Sequence, residues 1–324
     1  MKAALCKSLD GPDSIVIEDL PDPVAGAGQV VVRVKAAALN FLDTLTVRGK
    51  YQVKPEMPFS PASEFAGVVD SVGEGVTGFK PGDRVTGYLG SGAAREKVVV
   101  PALSLMPTPD GVSDPIAASL VVTYATGLHG LRDRGQLKAG ETLAVLGASG
   151  GAGLAAVELG KLMGARVIAA ASSDDKLAVC KAHGADVVIN YATTDLKQAL
   201  RDATGGKGVD VIYDCVGGPH AEAALRSIAW NGRFLVIGFA AGEIPKIALN
   251  LLLLKSSSLV GVFWGEHARR DPKGNYKNLK DLMSWLAEGK IKPHVSATYP
   301  LAQTVEALRA LDQRKSTGKV VITM

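Results

Sequence analysis

Cysteine is scarce: three in 324 residues, at positions 6, 180 and 215. An odd, scattered set supports neither a disulfide framework nor a cysteine-based metal site, and it suits a reducing, cytoplasmic setting. Long apolar runs are missing as well. The longest candidate, residues 247–254, is broken by Asn250 and closed by Lys255; a membrane helix needs roughly 20 apolar residues. The opening MKAALCKSLDGPDS lacks the apolar centre of a secretory leader, so a cytoplasmic protein with no membrane partner is expected. Neither sign of charge is in large excess: 36 Lys and Arg against 32 Asp and Glu give a formal +4. That is too little to argue for a nucleic-acid partner, and no basic stretch interleaved with aromatics stands out. What is plentiful is apolar material, 47% of the chain, in a length that predicts two domains.

Those apolar residues fall into two textures. The first third reads as β: SIVIEDL, QVVVRVKAAAL, EFAGVVDSVG, DRVTGY and AREKVVVP are short apolar or alternating runs between Gly, Pro and Asp turns. Helix-like sequence begins at Pro115. After Glu141 the strands TLAVLG, RVIAAAS, DVVIN, VDVIYDCVG and GRFLVIGFA alternate with the helical stretches GAGLAAVELGKLMG, SDDKLAVCKAHG, TTDLKQALRDATG and HAEAALRSIAWN. Continuous apolar strands separated by helices predict a parallel sheet covered on both faces. SSSLVGVFW is predicted to be a further strand at the sheet's end, and NLKDLMSWLAEGKI an amphipathic helix. The tail predicts a strand near residues 294–298, a helix over 301–311 and a last strand, KVVITM.

The dinucleotide fingerprint G-x-G-x-x-G is also absent. Between the first βα strand and its helix the glycines fall at 147, 150, 151 and 153. The chemistry requires small residues rather than one spelling, because the backbone must approach a pyrophosphate and offer it free N–H groups at a helix start. Gly147, Ala148, Ser149, Gly150, Gly151 and Gly153 leave almost no side chains there. A tight turn without a ligand is the plainer alternative; the four βα units that follow favour a nucleotide. The second strand lacks the Asp or Glu that holds a ribose 2′-hydroxyl in an NAD site. Ala171, Ser172 and Ser173 stand there instead, with Lys176 just downstream, which leaves room for a 2′-phosphate. Asp174 and Asp175 are predicted to cap and charge the next helix. The expected cofactor is NADP(H).

Together these segments resemble a known family. GASGGAGLAAVELGKLMGARVI, GADVVINY, GVDVIYDCVG and GRFLVIGFA are similar to the medium-chain dehydrogenase/reductase superfamily, and within it to the zinc-free quinone oxidoreductase, zeta-crystallin-like branch. AAALNFLDTLTVRGKY and PFSPASEFAGVVDSVGEGVTGFKPGDRV match at the front, so the resemblance spans essentially the whole chain. It implies an α/β fold: a GroES-like β-barrel catalytic domain from residues 1–122 and 265–324, and a doubly wound Rossmann domain from residues 123–264, with the active site in the cleft between them. It implies that Lys176, Tyr191 and Arg314, joined by Ser172, surround the 2′-phosphate, and that Ser149, Gly150, Gly151 and Ala152 hold the pyrophosphate. Asn40 and Thr126 would lie beside the nicotinamide, and Gly217, Phe239 and Phe263 at strand ends facing the cofactor. Catalysis would fall to Asn40, Tyr51 and Thr126. Each has a plainer reading: Tyr191 as a strand end, Lys176, Arg314 and Lys315 as solvated charges, Asn40 with Asp43 as a helix cap.

The zinc-dependent branch of that superfamily uses a Cys before its first active-site helix and a His-Glu pair before the next strand. Here those places hold the ALNF stretch and Ser63-Glu64. The five histidines, at 129, 183, 220, 267 and 294, show no metal-ligand spacing, and His183 and His220 read as helix-surface residues. No metal site is expected. Without a Lewis acid for an alkoxide, the expected reaction is hydride transfer from NADPH to a quinone, with a conjugated alkene (an enone, or an enoyl or acryloyl thioester) as the alternative acceptor. Tyr51 falls where enoyl thioester reductases of the superfamily carry a proton-donating tyrosine; quinone reductases often keep it too, so it does not discriminate, and their other common active-site tyrosine is replaced here by Leu45. Arg48, Lys50 and Lys54 would suit a CoA tail. A protein that keeps NADPH without turnover is the third reading. The resemblance also implies a homodimer, paired through the apolar edge SSSLVGVFW.

Overall fold

The structure, a computed structural model, describes residues 1–324. The short apolar runs of the first third become β1 (Lys2–Cys6), β2 (Ile15–Asp19), β3 (Gln29–Leu39), β4 (Glu64–Val72), β5 (Arg84–Tyr88), β6 (Lys97–Pro101) and β7 (Leu105–Pro107). Helix α1 (Phe41–Thr46) stands between β3 and β4; α2 (Asp114–Ala118) and α3 (Val121–Leu128) follow β7. Helix α3 runs directly into a π-helical turn, His129–Arg134.

The alternating middle then reads β8 (Thr142–Leu146), α4 (Gly151–Leu162), β9 (Arg166–Ala171), α5 (Asp174–Ala182), β10 (Val187–Asn190), α6 (Leu196–Ala203), β11 (Val209–Asp214), α7 (Gly218–Leu225), β12 (Ile228–Val236), α8 (Asn250–Leu253) and β13 (Ser258–Gly261). Its six strands are all parallel, in the order β10-β9-β8-β11-β12-β13. Counted from β8 this is 3-2-1-4-5-6, the doubly wound order. The central strands are buried on both faces, which is why they read as unbroken apolar runs rather than alternating ones. Strand order reverses between β8 and β11, so the turns leaving those two strands lie side by side; a Cβ on Gly147 would stand 2.8 Å from Val216 Cγ2.

The chain closes with α9 (Trp264–Arg270), α10 (Pro272–Ala287), β14 (Val295–Pro300), α11 (Thr304–Asp312) and β15 (Lys319–Thr323). It forms two units: Met1–Val122 with Leu279–Met324, and Thr123–Asn278. In the first, the sheet runs β14-β15-β3-β4-β5-β7, with β6 also on β3, and β1 pairs β2 apart from it. Strand β15 lies antiparallel to the end of β3 with Val320 opposite Leu39. That register carries Lys319 to the level of Asn40.

The second domain boundary falls at 278/279, not at 264/265. Helix α9 and the start of α10 stay with the middle unit because polar side chains tie them there. Trp264 Nε1 donates to Asn275 Oδ1 at 2.8 Å, Asn278 Nδ2 donates to Asp133 at 3.0 Å, and Arg132 donates to Asn278. No helix is long and apolar enough to cross a membrane.

Candidate active site

The turn from β8 to α4 is the tightest approach in the middle unit. A Cβ on Gly153 would sit 2.2 Å from the Gly147 carbonyl oxygen and 2.8 Å from Ala148 Cα, so the helix start packs on the turn only as glycine. Ser149 is buried, while Gly150, Gly151 and Ala152 are half-buried. Gly150 is the N-cap of α4, and no side chain caps it. The first N–H groups of a 12-residue helix are thereby left without a side-chain acceptor, and the backbone beside them carries no bulk. That is the arrangement a pyrophosphate fits.

Strand β9 ends at Ala171, and Ser172 follows with its hydroxyl 3.4 Å from the Lys176 ammonium. Asp174 and Asp175 were expected to cap α5. The N-cap is instead Ser173; the two carboxylates lie in the first turn, and Asp174 accepts from Asn190 Nδ2 at 2.9 Å. Asp174 is thus held by the end of β10, where it favours the helix dipole. Tyr191, one residue past β10, packs against His220, with ring centroids 4.3 Å apart. His220 therefore packs against the segment that follows β10 rather than standing free on a solvated helix face. Burial lowers its imidazole below the ordinary range, with Asp214 opposing. His183 is no surface residue either: its Nδ1 meets Glu158 Oε1 at 2.5 Å, and Tyr124 donates to Glu158 Oε2 at 2.7 Å. This buried chain pins α3 to α4. Thr126 on α3 is the one half-buried residue in an otherwise buried run over 117–131.

The remaining candidates of this unit follow the carboxyl ends of its strands, where doubly wound sheets bind ligands. Gly217 (φ 66°) follows β11, and a Cβ there would meet the Phe239 ring at 2.9 Å. Phe239 and Phe263, which follow β12 and β13, are 37% and 45% exposed. Arg314 lies in the other unit, exposed, with φ 55° in the loop before β15.

In that unit Asn40, Asp43, Glu64 and Lys319 form a buried polar cluster. Glu64 Oε1 accepts from Asn40 Nδ2 at 2.9 Å and from Lys319 Nζ at 2.7 Å, and Oε2 accepts from the Val122 N–H at 2.8 Å. At the place where the zinc-dependent branch keeps its His-Glu pair, the carboxylate is thus fully engaged by protein donors. Asp43 closes the capping box of α1, its Oδ2 accepting the Asn40 N–H at 2.7 Å and its Oδ1 the Ala62 N–H at 3.0 Å. The Asn40 carboxamide donates one N–H to Glu64 Oε1 and accepts from Lys319 Nζ. Burial pushes the Asp43 carboxyl up to about 7, against the two N–H groups and Lys319. The Tyr51 phenol is raised by burial and by the Asp43 charge. Tyr88, opposite Glu64 across β4 and β5, is pushed up to about 12, chiefly by burial, with Tyr51, Asp43 and Glu64 adding. Sequence reasoning missed Lys319 and Tyr88. Arg48, read as one piece of a basic track, donates to the Thr44 carbonyl and to Asp312 at 2.7 and 2.8 Å.

A further cluster contradicts the expectation that the histidines share no ligand-like spacing. His129 and Asp133, four apart, converge with His267 so that their donor atoms lie within 4.8 Å of one another. The two imidazoles, however, stack at 3.9 Å and 8° from parallel, so their lone pairs run side by side instead of meeting at one point. Asp133 is already shared by His129 at 2.9 Å and Asn278 at 3.0 Å. The group works as a clamp between α9 and the π-helical turn. Burial lowers the His129 imidazole, and His267 and Arg134 act in the same sense against Asp133. A value depressed in the folded state favours the neutral ring. Its stabilisation is present above the ordinary 6.5 and is lost as pH falls through the folded value. Asp43 works oppositely, since its raised carboxyl is disfavoured only as pH rises toward about 7. The expected result is therefore a difference: His129→Phe, which keeps the stack, flattens the fall in melting temperature between roughly pH 7.5 and 5.5 relative to the parent. Parallel slopes would remove His129 as the cause.

Residues 26–110 match the family model described as the alcohol dehydrogenase GroES-like domain, and residues 151–286 the one described as zinc-binding dehydrogenase. A quinone oxidoreductase-like protein 2 homolog of Nematostella vectensis is 40% identical over 99% of this chain and 88% of its own length. A mycobacterial protein solved in complex with NADPH is similar with a TM-score of 0.92 at 31% identity, covering 100% of both chains. The Escherichia coli quinone oxidoreductase complexed with NADPH gives a TM-score of 0.92 at 28% identity, again covering 100% of both.

Proposed function

Because this chain belongs to the medium-chain dehydrogenase/reductase family, in its zinc-free quinone oxidoreductase branch, we propose that it is an NADPH-dependent reductase whose hydride acceptor is a quinone. NADPH supplies the hydride when bound. Lys176, Ser172 and Tyr191 hold the 2′-phosphate, with Arg314 as a further cation, and the N–H groups of Gly150, Gly151 and Ala152 with the Ser149 hydroxyl hold the pyrophosphate. Gly217 leaves room beside Phe239, and Phe239 and Phe263 shield the cofactor's apolar side. Thr126 offers its hydroxyl to the nicotinamide side. In the other unit Asn40 and Tyr51 orient the ring and the acceptor.

What supports the quinone reading is the whole-chain similarity to proteins named quinone oxidoreductase or quinone oxidoreductase-like. Tyr51, whose phenol is held above the ordinary range by burial and by Asp43, is the residue at which the two candidate chemistries part. Reduction of a conjugated alkene needs a proton delivered to carbon after hydride transfer, whereas a reduced quinone takes its protons on oxygen from water. The engagement of Arg48 with Asp312 also removes one cation that a CoA tail would want. Tyr51→Phe is expected to lower quinone turnover less than about tenfold, under roughly 1.4 kcal/mol, while any enone or enoyl-thioester activity falls further. A parent enzyme that favours the thioester, and a Phe variant that loses it almost entirely, would reverse this reading.

The same proposal includes a cytoplasmic homodimer. Strand β13 has a neighbour on one side only, and Leu259 on it is 39% exposed, an edge that invites pairing with a second copy. Val260→Asp is expected to yield monomer or aggregate in sedimentation. A parent protein that sediments as a monomer at micromolar concentration would remove the dimer.

A further inference from the structure

The carboxamide of Asn40 has a forced orientation. Glu64 can only accept hydrogen bonds and Lys319 can only donate them. The amide nitrogen faces Glu64 Oε1 at 2.9 Å, and the amide oxygen takes a hydrogen bond from Lys319 Nζ. A flipped amide would set N–H against ammonium and C=O against carboxylate. Nor can the partners turn away, since Lys319 is itself paired with Glu64 Oε1 at 2.7 Å and the Val122 N–H holds Glu64 Oε2 at 2.8 Å. Asn40 is 7% exposed, Glu64 0% and Lys319 3%, so water does not loosen the arrangement. With one N–H given to Glu64, the amide nitrogen keeps a second N–H for which the protein offers no acceptor.

Packing does not account for a lysine here. Lys319 opens β15, whose other residues are Val, Val, Ile and Thr. A methionine would fill the same space but would leave Glu64 a buried, unpaired charge, so the lysine belongs to the polar cluster rather than to the packing of the strand. We propose that Lys319 is a positioning residue: acting with Glu64 through Asn40, it fixes that carboxamide as a hydrogen-bond donor toward a carbonyl oxygen of the bound ligands. This rests on the role given to Asn40 above.

The test is a double-mutant cycle on the full-length protein, reading kcat for NADPH-dependent reduction of 1,4-benzoquinone and the dissociation constant for NADPH. Lys319→Met is expected to lower kcat roughly ten- to hundredfold. Its NADPH dissociation constant should change little, because the phosphate contacts lie elsewhere. In an Asn40→Ala background the same change should cause no further loss of kcat. An undiminished kcat in Lys319→Met, or an equal loss in both backgrounds, overturns the proposal and leaves the role of Asn40 standing. An Asn40→Ala protein with the parent's kcat overturns the role of Asn40, and the Lys319 proposal with it. If Lys319→Met does not fold, Lys319→Met with Glu64→Gln removes both charges together, and the same non-additivity is read from that pair.

Discussion

Alanine at position 153 is expected to cut NADPH affinity on the order of a hundredfold and to destabilise the protein by roughly 1–3 kcal/mol. The added Cβ would lie 2.2 Å from the Gly147 carbonyl oxygen. Both partners are backbone, so no flexible side chain can yield, and either α4 or the turn must move. Ala148 Cα at 2.8 Å closes the other direction. A shift of several tenths of an ångström withdraws the N–H groups of Gly151 and Ala152 from the pyrophosphate, where hydrogen-bond strength depends steeply on distance. Fluorescence titration with NADPH, paired with urea denaturation, reads both effects. Gly78→Ala is the control, since a Cβ there meets nothing within 4 Å. A Gly153→Ala protein that binds NADPH like the parent would show that the turn is not the pyrophosphate site.

The second large effect is on cofactor choice. Lys176→Ala is expected to weaken NADPH by about 1.5–3 kcal/mol, the worth of one charge-assisted contact to phosphate, and to leave NADH nearly unchanged. The reason is local. Ser172 and Lys176 meet at 3.4 Å where an NAD site would place a carboxylate, and Asp174 is held by Asn190. Ratios of kcat/KM for the two cofactors, at one fixed ionic strength, give the answer. Equal losses for both would mean that Lys176 never touches the phosphate.

How far the sequence revealed the fold and the site follows from how local each feature is. The strand-turn-helix from β8 through α4 is contiguous, and so are the βα units behind it. Their order along the chain was enough to predict a parallel sheet covered on both faces, while the reversal between β8 and β11 comes from the observed strand order. The Asn40 cluster was not legible, because Lys319 is 279 residues from Asn40 and 255 from Glu64. The one available signal was a lysine opening an otherwise apolar terminal strand, and a solvated strand end explains such a lysine equally well. His129 and His267 fail for the same reason: only the four-residue step from His129 to Asp133 is visible in sequence, and it looks like an ordinary helical ion pair. His220 was misjudged because helical periodicity says which face is apolar but not which neighbouring loop covers it. The boundary at 278/279 depended on Asn278 reaching Asp133, a contact across 145 residues.

The central claim is tested most directly by steady-state NADPH oxidation with four acceptors in parallel: 1,4-benzoquinone, 9,10-phenanthrenequinone, a simple enone and crotonyl-CoA. The account predicts turnover with at least one quinone, with NADPH preferred over NADH and kcat/KM for the enone and the thioester well below that for the quinone. Turnover confined to crotonyl-CoA or the enone, or NADPH binding with no turnover of any acceptor, would contradict it.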